Sequence, residues 1–301
     1  MSGAREIEAT GGPGGRGGSV VGRLVAASRP LSWVNTAYPF GAAYLLTTRH
    51  VDVTFVVGVL FFLIPYNLLM YGINDVFDYE SDRLNPRKGG VEGALLDRRW
   101  HRQVLLASIA LPVPFVVYLL VVGSPLSWLV LAGSLFAVVA YSAPRLRFKE
   151  RPGLDSLTSS THFVSPALYG LVLAGADLTP QVWVVLAAFF HWGAASQAFG
   201  AVQDIVADRQ AGIRSIATAL GARYTVRLAM LGYVHAGILM LLTPWRIAAV
   251  LVLPYLLILW PYRSVTDADA ESTNRGWRRF LGANYLVGFL VTMLLIWVWR
   301  T

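Results

Sequence analysis

Apolar residues gather along this chain in long runs, at roughly 31–48, 53–77, 103–122, 127–143, 157–175, 181–203, 224–242, 246–262 and 281–299. Most approach the roughly 20 residues of helix that cross a hydrocarbon core. None alternates with the two-residue period of a strand. In lipid each segment must then satisfy its own backbone, which leaves the α-helix. The pattern predicts an all-α polytopic membrane protein of about nine transmembrane helices, forming one domain over 23–301. Pro65 lies inside the run at 53–77 and predicts a kink there. Residues 1–22 are rich in glycine, broken by charge and without the apolar stretch of a signal peptide, so a disordered cytosolic tail is expected.

Composition agrees: 55% of residues are hydrophobic and 14% charged, against roughly 25% charged in a soluble domain. The absence of cysteine excludes disulfides, thiolate metal sites and cysteine nucleophiles. A net charge of +8 raises the question of nucleic acid, but the arginines are spread through the loops and form no single basic domain. The bilayer is the expected partner and nucleic acid is not. All of the 25 lysines and arginines except Arg49, Arg246 and Arg300 fall in the tail or in alternate loops. That asymmetry predicts a multi-pass protein of the cell (inner) membrane, with its N-terminus and basic loops in the cytosol.

Two acidic clusters stand at the predicted inner ends of helices. The first reads Asn74-Asp75-Val-Phe-Asp78-Tyr-Glu-Ser-Asp82, preceded by Asn67 and Tyr71; the second reads Asp204-Ile-Val-Ala-Asp208, preceded by Gln197. On one continuous helix Asn67, Asn74, Asp78 and Asp82 would lie within about 80° of one another. Carboxylates so grouped repel each other, and helix C-termini disfavour anions, so a cation must compensate. Oxygen ligands of this type suit Mg²⁺, which shares its coordination with substrate phosphates; Mn²⁺ would substitute. Basic loops adjoin the clusters, with Arg87 and Lys88 after the first and Tyr141, Ser142, Arg145, Arg147 and Lys149 after the fourth apolar run. Acid beside base describes a metal-bound diphosphate, the carboxylates holding metal and Arg or Lys the phosphate oxygens. Read singly, the aspartates are also consistent with a solvated rim, and the basic loops with topology alone.

At these residues the chain resembles the UbiA-type intramembrane prenyltransferase superfamily, whose motifs NDxxDxxxD and DxxxD match Asn74–Asp82 and Asp204–Asp208 over a likeness spanning about 24–300. Within it the stretches 28–46, 65–96, 141–168 and 195–223 look like actinobacterial lycopene elongases, which make C45 and C50 carotenoids. The resemblance implies a UbiA-like bundle moving a dimethylallyl group from dimethylallyl diphosphate to the ends of lycopene or a related apolar acceptor. Asp75, Asp78, Asp82, Asp204 and Asp208 would hold Mg²⁺, with Asn74 orienting them. Arg87, Lys88, Tyr141, Ser142, Arg147 and Lys149 would hold the diphosphate. Asn35, Tyr38, Asn67, Tyr71, His162 and Gln197 are candidates for the pocket of acceptor and allylic cation. A carotenoid cyclase or other pathway enzymes would be partners. The same chemistry on a quinone, chlorophyll or glycerol-phosphate acceptor stays open, as does a transporter, although transporter ligand groups usually sit near the midplane.

Overall fold

The structure, a computed structural model, describes residues 19–83 and 96–300, and among these every regular element is helical. Ser19 caps α1 (Val20–Ala27), whose helix therefore begins inside the segment expected as tail. A 3₁₀ turn at Pro30–Ser32 leads into α2 (Trp33–Thr48). The next run divides into α3 (Val53–Leu63) and α4 (Pro65–Phe77), and a short α5 (Tyr79–Asp82) follows. The run after it divides in the same way, at Pro112, into α6 (His101–Ala110) and α7 (Val113–Val122). Beyond lie α8 (Pro125–Ser142), α9 (Leu154–Leu173), α10 (Pro180–Val202), α11 (Ile205–Gln210), α12 (Ile216–Leu220) and α13 (Ala222–Leu241). A 3₁₀ stretch, Arg246–Val252, precedes α14 (Leu253–Leu259), and α15 (Asn274–Arg300) ends the bundle.

Six stretches among the described residues are long and apolar enough to cross a membrane: Val53–Phe77, Arg98–Val122, Pro125–Ser142, Pro180–Val202, Ala222–Leu241 and Ala270–Arg300. By this measure the expected nine are not all distinguished. α2 has 16 residues, and Arg246–Tyr262 is a shorter apolar helix. α9 is long enough but carries Asp155, Ser156, Thr158, Ser159, Ser160, His162 and Ser165, all buried.

Those polar residues explain why α9 stands inside the bundle, packed along α2, α8 and α10. Lipid offers no hydrogen bonds, so a polar helix face is stable only against other helices. Ser165 meets Ser134 of α8 at 2.7 Å, Ser134 meets Tyr66 of α4 at 2.9 Å, and Ser160 donates to the Phe190 carbonyl of α10 at 2.7 Å. Small residues allow the approach. A Cβ on Gly170 of α9 would stand 2.7 Å from the Phe40 carbonyl of α2.

The break between α3 and α4 is a built feature. Pro65 cannot donate to α3, so the last carbonyls of that helix need other partners. The Thr36 hydroxyl of α2 donates to the Phe62 carbonyl at 2.6 Å. The Asn67 amide donates to the same carbonyl at 2.8 Å, to Leu63 at 3.1 Å and to Thr36 Oγ1 at 2.7 Å. Asn67 therefore closes the break. Asn67→Leu should destabilise the fold by about 1–3 kcal/mol, because it strands buried carbonyls. Thermal unfolding in detergent checks this, and unchanged stability with lost activity would move Asn67 to the substrate pocket.

Candidate active site

α4 stops at Phe77, and Asp78 caps it with φ −100° and ψ 0°, before α5 takes up the chain. The single helical face drawn through Asn67, Asn74, Asp78 and Asp82 is thus broken at Asp78. The second motif is built alike: α10 ends at Val202, Asp204 sits at the junction and Asp208 lies on α11. Both motifs therefore break the helix at one of their carboxylates, Asp78 in the first and Asp204 in the second. At the second bend the Asp208 amide donates to the Asp204 carbonyl at 2.8 Å.

Asp75 and Asp78 are 3% and 2% exposed, a depth at which an anion needs a cationic partner. Asp75 has one in Arg29, whose Nη2 lies 2.9 Å from Oδ1. The Arg29 guanidinium also lies over the Tyr71 ring, 4.3 Å from its centre. Asp78 is bonded to Lys149 Nζ, with Arg147 Nη2 at 3.6 Å. Burial pushes the Asp78 carboxyl up and Lys149 beside it pulls it back, burial being the stronger. Arg147 also bonds Glu150, and that bond holds the Glu150 carboxyl below the usual range. Arg29 and Arg147 both adopt left-handed backbone, at φ 51° and 39°. That conformation costs about 1–2 kcal/mol for a residue with a Cβ, so the surrounding contacts hold these two arginines in place.

Tyr141 and Ser142, at the end of α8, connect the first motif to α10. Asn74 donates to Ser142 Oγ at 2.9 Å on the first side. Gln197 of α10 donates to the Tyr141 hydroxyl at 3.4 Å on the second, and accepts from Ser159 of α9 at 3.2 Å. His162 is 3% exposed and sets its ring edge-on to Tyr141, centres 5.3 Å apart, with Nε2 bonded to nothing. Asn74, Asp75, Asp78, Tyr141, Ser142, Arg147, Lys149, His162, Gln197 and Tyr71 are therefore drawn into one region. Asp82 on α5, Asp204 at the junction of α10 and α11, and Asp208 on α11 are half-buried.

The remaining expected residues are Arg87, Lys88, Asn35, Tyr38 and Asn67. Arg87 and Lys88 fall outside the described residues. Asn35 is exposed on α2. Tyr38 bonds Thr292 of α15 at 2.8 Å and so ties the last helix to α2. Asn67, a pocket candidate, is fully buried at the helix break. The sequence reading missed Arg29, Glu150 and Ser159. Arg29 was visible only as one more basic residue of the cytosolic side, because its partner lies 46 residues away.

Among the described residues, no three acidic or histidine side chains come close enough to enclose a metal. The donors are nevertheless the hard oxygens that magnesium takes. The charge it would supply at Asp75 and Asp78 is supplied here by Arg29, Lys149 and Arg147. In donor type and charge demand the residues fit the ion.

The chain is similar to known proteins in sequence and in fold. The protein named C(50) beta-cyclic carotenoids biosynthesis protein LbtBC, from Dietzia sp. (strain CQ4), is 58% identical over 277 residues. That match covers 91% of this chain and 64% of the Dietzia protein, so the chain spans somewhat less than two thirds of that relative. The protein named lycopene elongase/hydratase of Corynebacterium glutamicum is 52% identical over 275 residues, covering 91% of this chain and 96% of that one. In fold the chain is similar to a UbiA homolog from Archaeoglobus fulgidus bound to DMAPP and Mg2+, with a TM-score of 0.64 at 19% identity over 88% of this chain and 98% of that one. The sequence pattern of the UbiA prenyltransferase family matches residues 36–299, a span that contains both aspartate motifs, and this chain belongs to that family.

Proposed function

We propose that this chain is a magnesium-dependent prenyltransferase that moves a dimethylallyl group from dimethylallyl diphosphate to the ends of lycopene. The observation that carries the reading is the 52% identity, over nearly the full length of both chains, to the lycopene elongase/hydratase of Corynebacterium glutamicum. The Dietzia relative, whose name concerns C50 carotenoids, points the same way. We place all nine apolar segments across the bilayer, with the N-terminus and both motifs at the cytosolic face, where the basic loops lie.

In the reaction the bond between the allylic carbon and the diphosphate oxygen breaks, and the electron pair leaves with the diphosphate. The allylic carbon joins a terminal alkene carbon of lycopene. The tertiary cation left on the acceptor is then quenched by losing a proton or gaining water. Magnesium, when bound, supplies positive charge to the departing diphosphate. Asp75, Asp78, Asp82, Asp204 and Asp208 would hold it. Lys149 and Arg147, already at Asp78, lie where they can bind phosphate oxygens. Ser142 fixes the Asn74 amide, and Tyr141 offers a ring face to an allylic cation. Burial of Asp75 and Asp78 keeps water from the charge-bearing groups, which strengthens every electrostatic contact there.

Membranes containing the protein, given lycopene and dimethylallyl diphosphate, should yield products larger by one and then two five-carbon units, read by mass spectrometry of the pigments. Phenols such as 4-hydroxybenzoate should stay unmodified, because their carboxylate would be buried unpaired at a cost of several kcal/mol. Efficient phenol prenylation without lycopene extension would keep the chemistry and replace the acceptor.

A further inference from the structure

We infer that Arg29 stands in for the metal charge at Asp75 until a metal-bound diphosphate arrives, and then passes to the diphosphate, so that the two ligands bind as a unit. The inference rests on the diphosphate reading above and adds a residue and an order of binding to it.

Arg29 belongs to neither motif and lies in sequence between α1 and α2. Its Nη2 bonds the first aspartate of the motif at 2.9 Å, while the planar group rests on Tyr71 of the same helix, one turn before Asp75. Its Nε is buried and has no acceptor, although guanidinium carries five donors that are usually satisfied. Its backbone is left-handed, at φ 51° and ψ 77°. A side chain held on a strained backbone, stacked, half-satisfied and aimed at a buried carboxylate is prepared for a further acceptor. A diphosphate oxygen is an acceptor of suitable charge, and the planar fork of arginine suits phosphate.

The consequence is electrostatic. While Arg29 holds Asp75, a divalent cation approaching alone meets a like charge a few ångströms away, and no three acidic or histidine side chains among those described are gathered to enclose it. A diphosphate reverses this, because it brings negative charge for Arg29, Arg147 and Lys149 to bind and frees the carboxylates for metal. Each ligand then favours the other, and linkage makes the effect reciprocal.

The test uses the full chain in proteoliposomes, with bound Mn²⁺ counted at fixed free Mn²⁺, in the presence and absence of inorganic pyrophosphate. For the unaltered chain, pyrophosphate should raise Mn²⁺ affinity by at least about tenfold. Arg29→Gln should bind Mn²⁺ alone about tenfold more tightly than the unaltered chain, since one like charge is gone, and should lose most of the gain from pyrophosphate. Arg29→Lys keeps the charge and should bind Mn²⁺ alone within about threefold of the unaltered chain. Unchanged or weaker Mn²⁺ binding by a folded Arg29→Gln overturns the inference, as does a Lys variant that behaves like Gln. Absence of the pyrophosphate effect in the unaltered chain overturns it without any variant. Absence of Mn²⁺ binding even with pyrophosphate would overturn the metal–diphosphate reading itself, and this inference with it.

Discussion

Asp78→Asn is expected to lower prenyl transfer by at least about a thousandfold, the scale on which a group that stabilises developing charge acts. Asp78 is 2% exposed and bonded to Lys149, with Arg147 at 3.6 Å. It is therefore the carboxylate most tightly joined to the proposed phosphate clamps. Asparagine keeps the shape but loses the charge, so both metal binding and the posture of Lys149 suffer. Alanine would leave the half-buried Lys149 beside a void without its partner, which adds a loss of stability that asparagine largely avoids. The comparison of the two variants therefore separates site from fold. Asp204→Ala, at a half-buried bend between α10 and α11, should match the loss of activity with little loss of stability. Initial rates with dimethylallyl diphosphate, beside melting curves of the same preparations, give both numbers. Near-normal turnover in either variant would dissolve the two-motif site.

Removal of divalent metal should have an effect of similar size. Excess chelator should abolish turnover, and Mg²⁺ or Mn²⁺ should restore it. The reasoning is one of charge. Leaving diphosphate carries more negative charge than Arg29, Arg147 and Lys149 can balance, and those three already balance Asp75 and Asp78. Without added positive charge the carboxylates and the diphosphate would repel each other across a water-poor site. Ca²⁺ should restore activity poorly, since it prefers six to eight oxygens at about 2.3–2.6 Å and holds them loosely. Full turnover in chelator would remove the metal from the reaction.

Much of this was legible in the residues. Apolar runs gave helices at every expected position, because hydrocarbon leaves the backbone no other choice in such segments. The motif aspartates could be located because charge at the end of an apolar run is costly and therefore informative. Other features depend on contacts between distant segments. The wheel through Asp82 assumed a helix that ends at Phe77, and nothing in Val76-Phe77-Asp78 announces that end. Asn67 shared a face with the motif and was read as a pocket residue, whereas its partners are carbonyls exposed by Pro65 and a hydroxyl on α2. α9 passed as an ordinary apolar span, yet its serines and threonines place it inside. Arg29 could not be told from its basic neighbours without its partner Asp75.

The break at Ile64 has a bearing on how the enzyme meets its lipid. Thr36 and Asn67 hold the loose carbonyls at the end of α3, so α3 stays packed along α2 while α4 turns to pack along α6 and α8. A hydrophobic span that differs from the thickness of its bilayer usually adjusts by tilting as a whole. Here the break divides the span, so that α3 moves with α2 and α4 with α6 and α8. A change in membrane thickness would then be taken up at the break, leaving Asp78 beside Arg147 and Lys149.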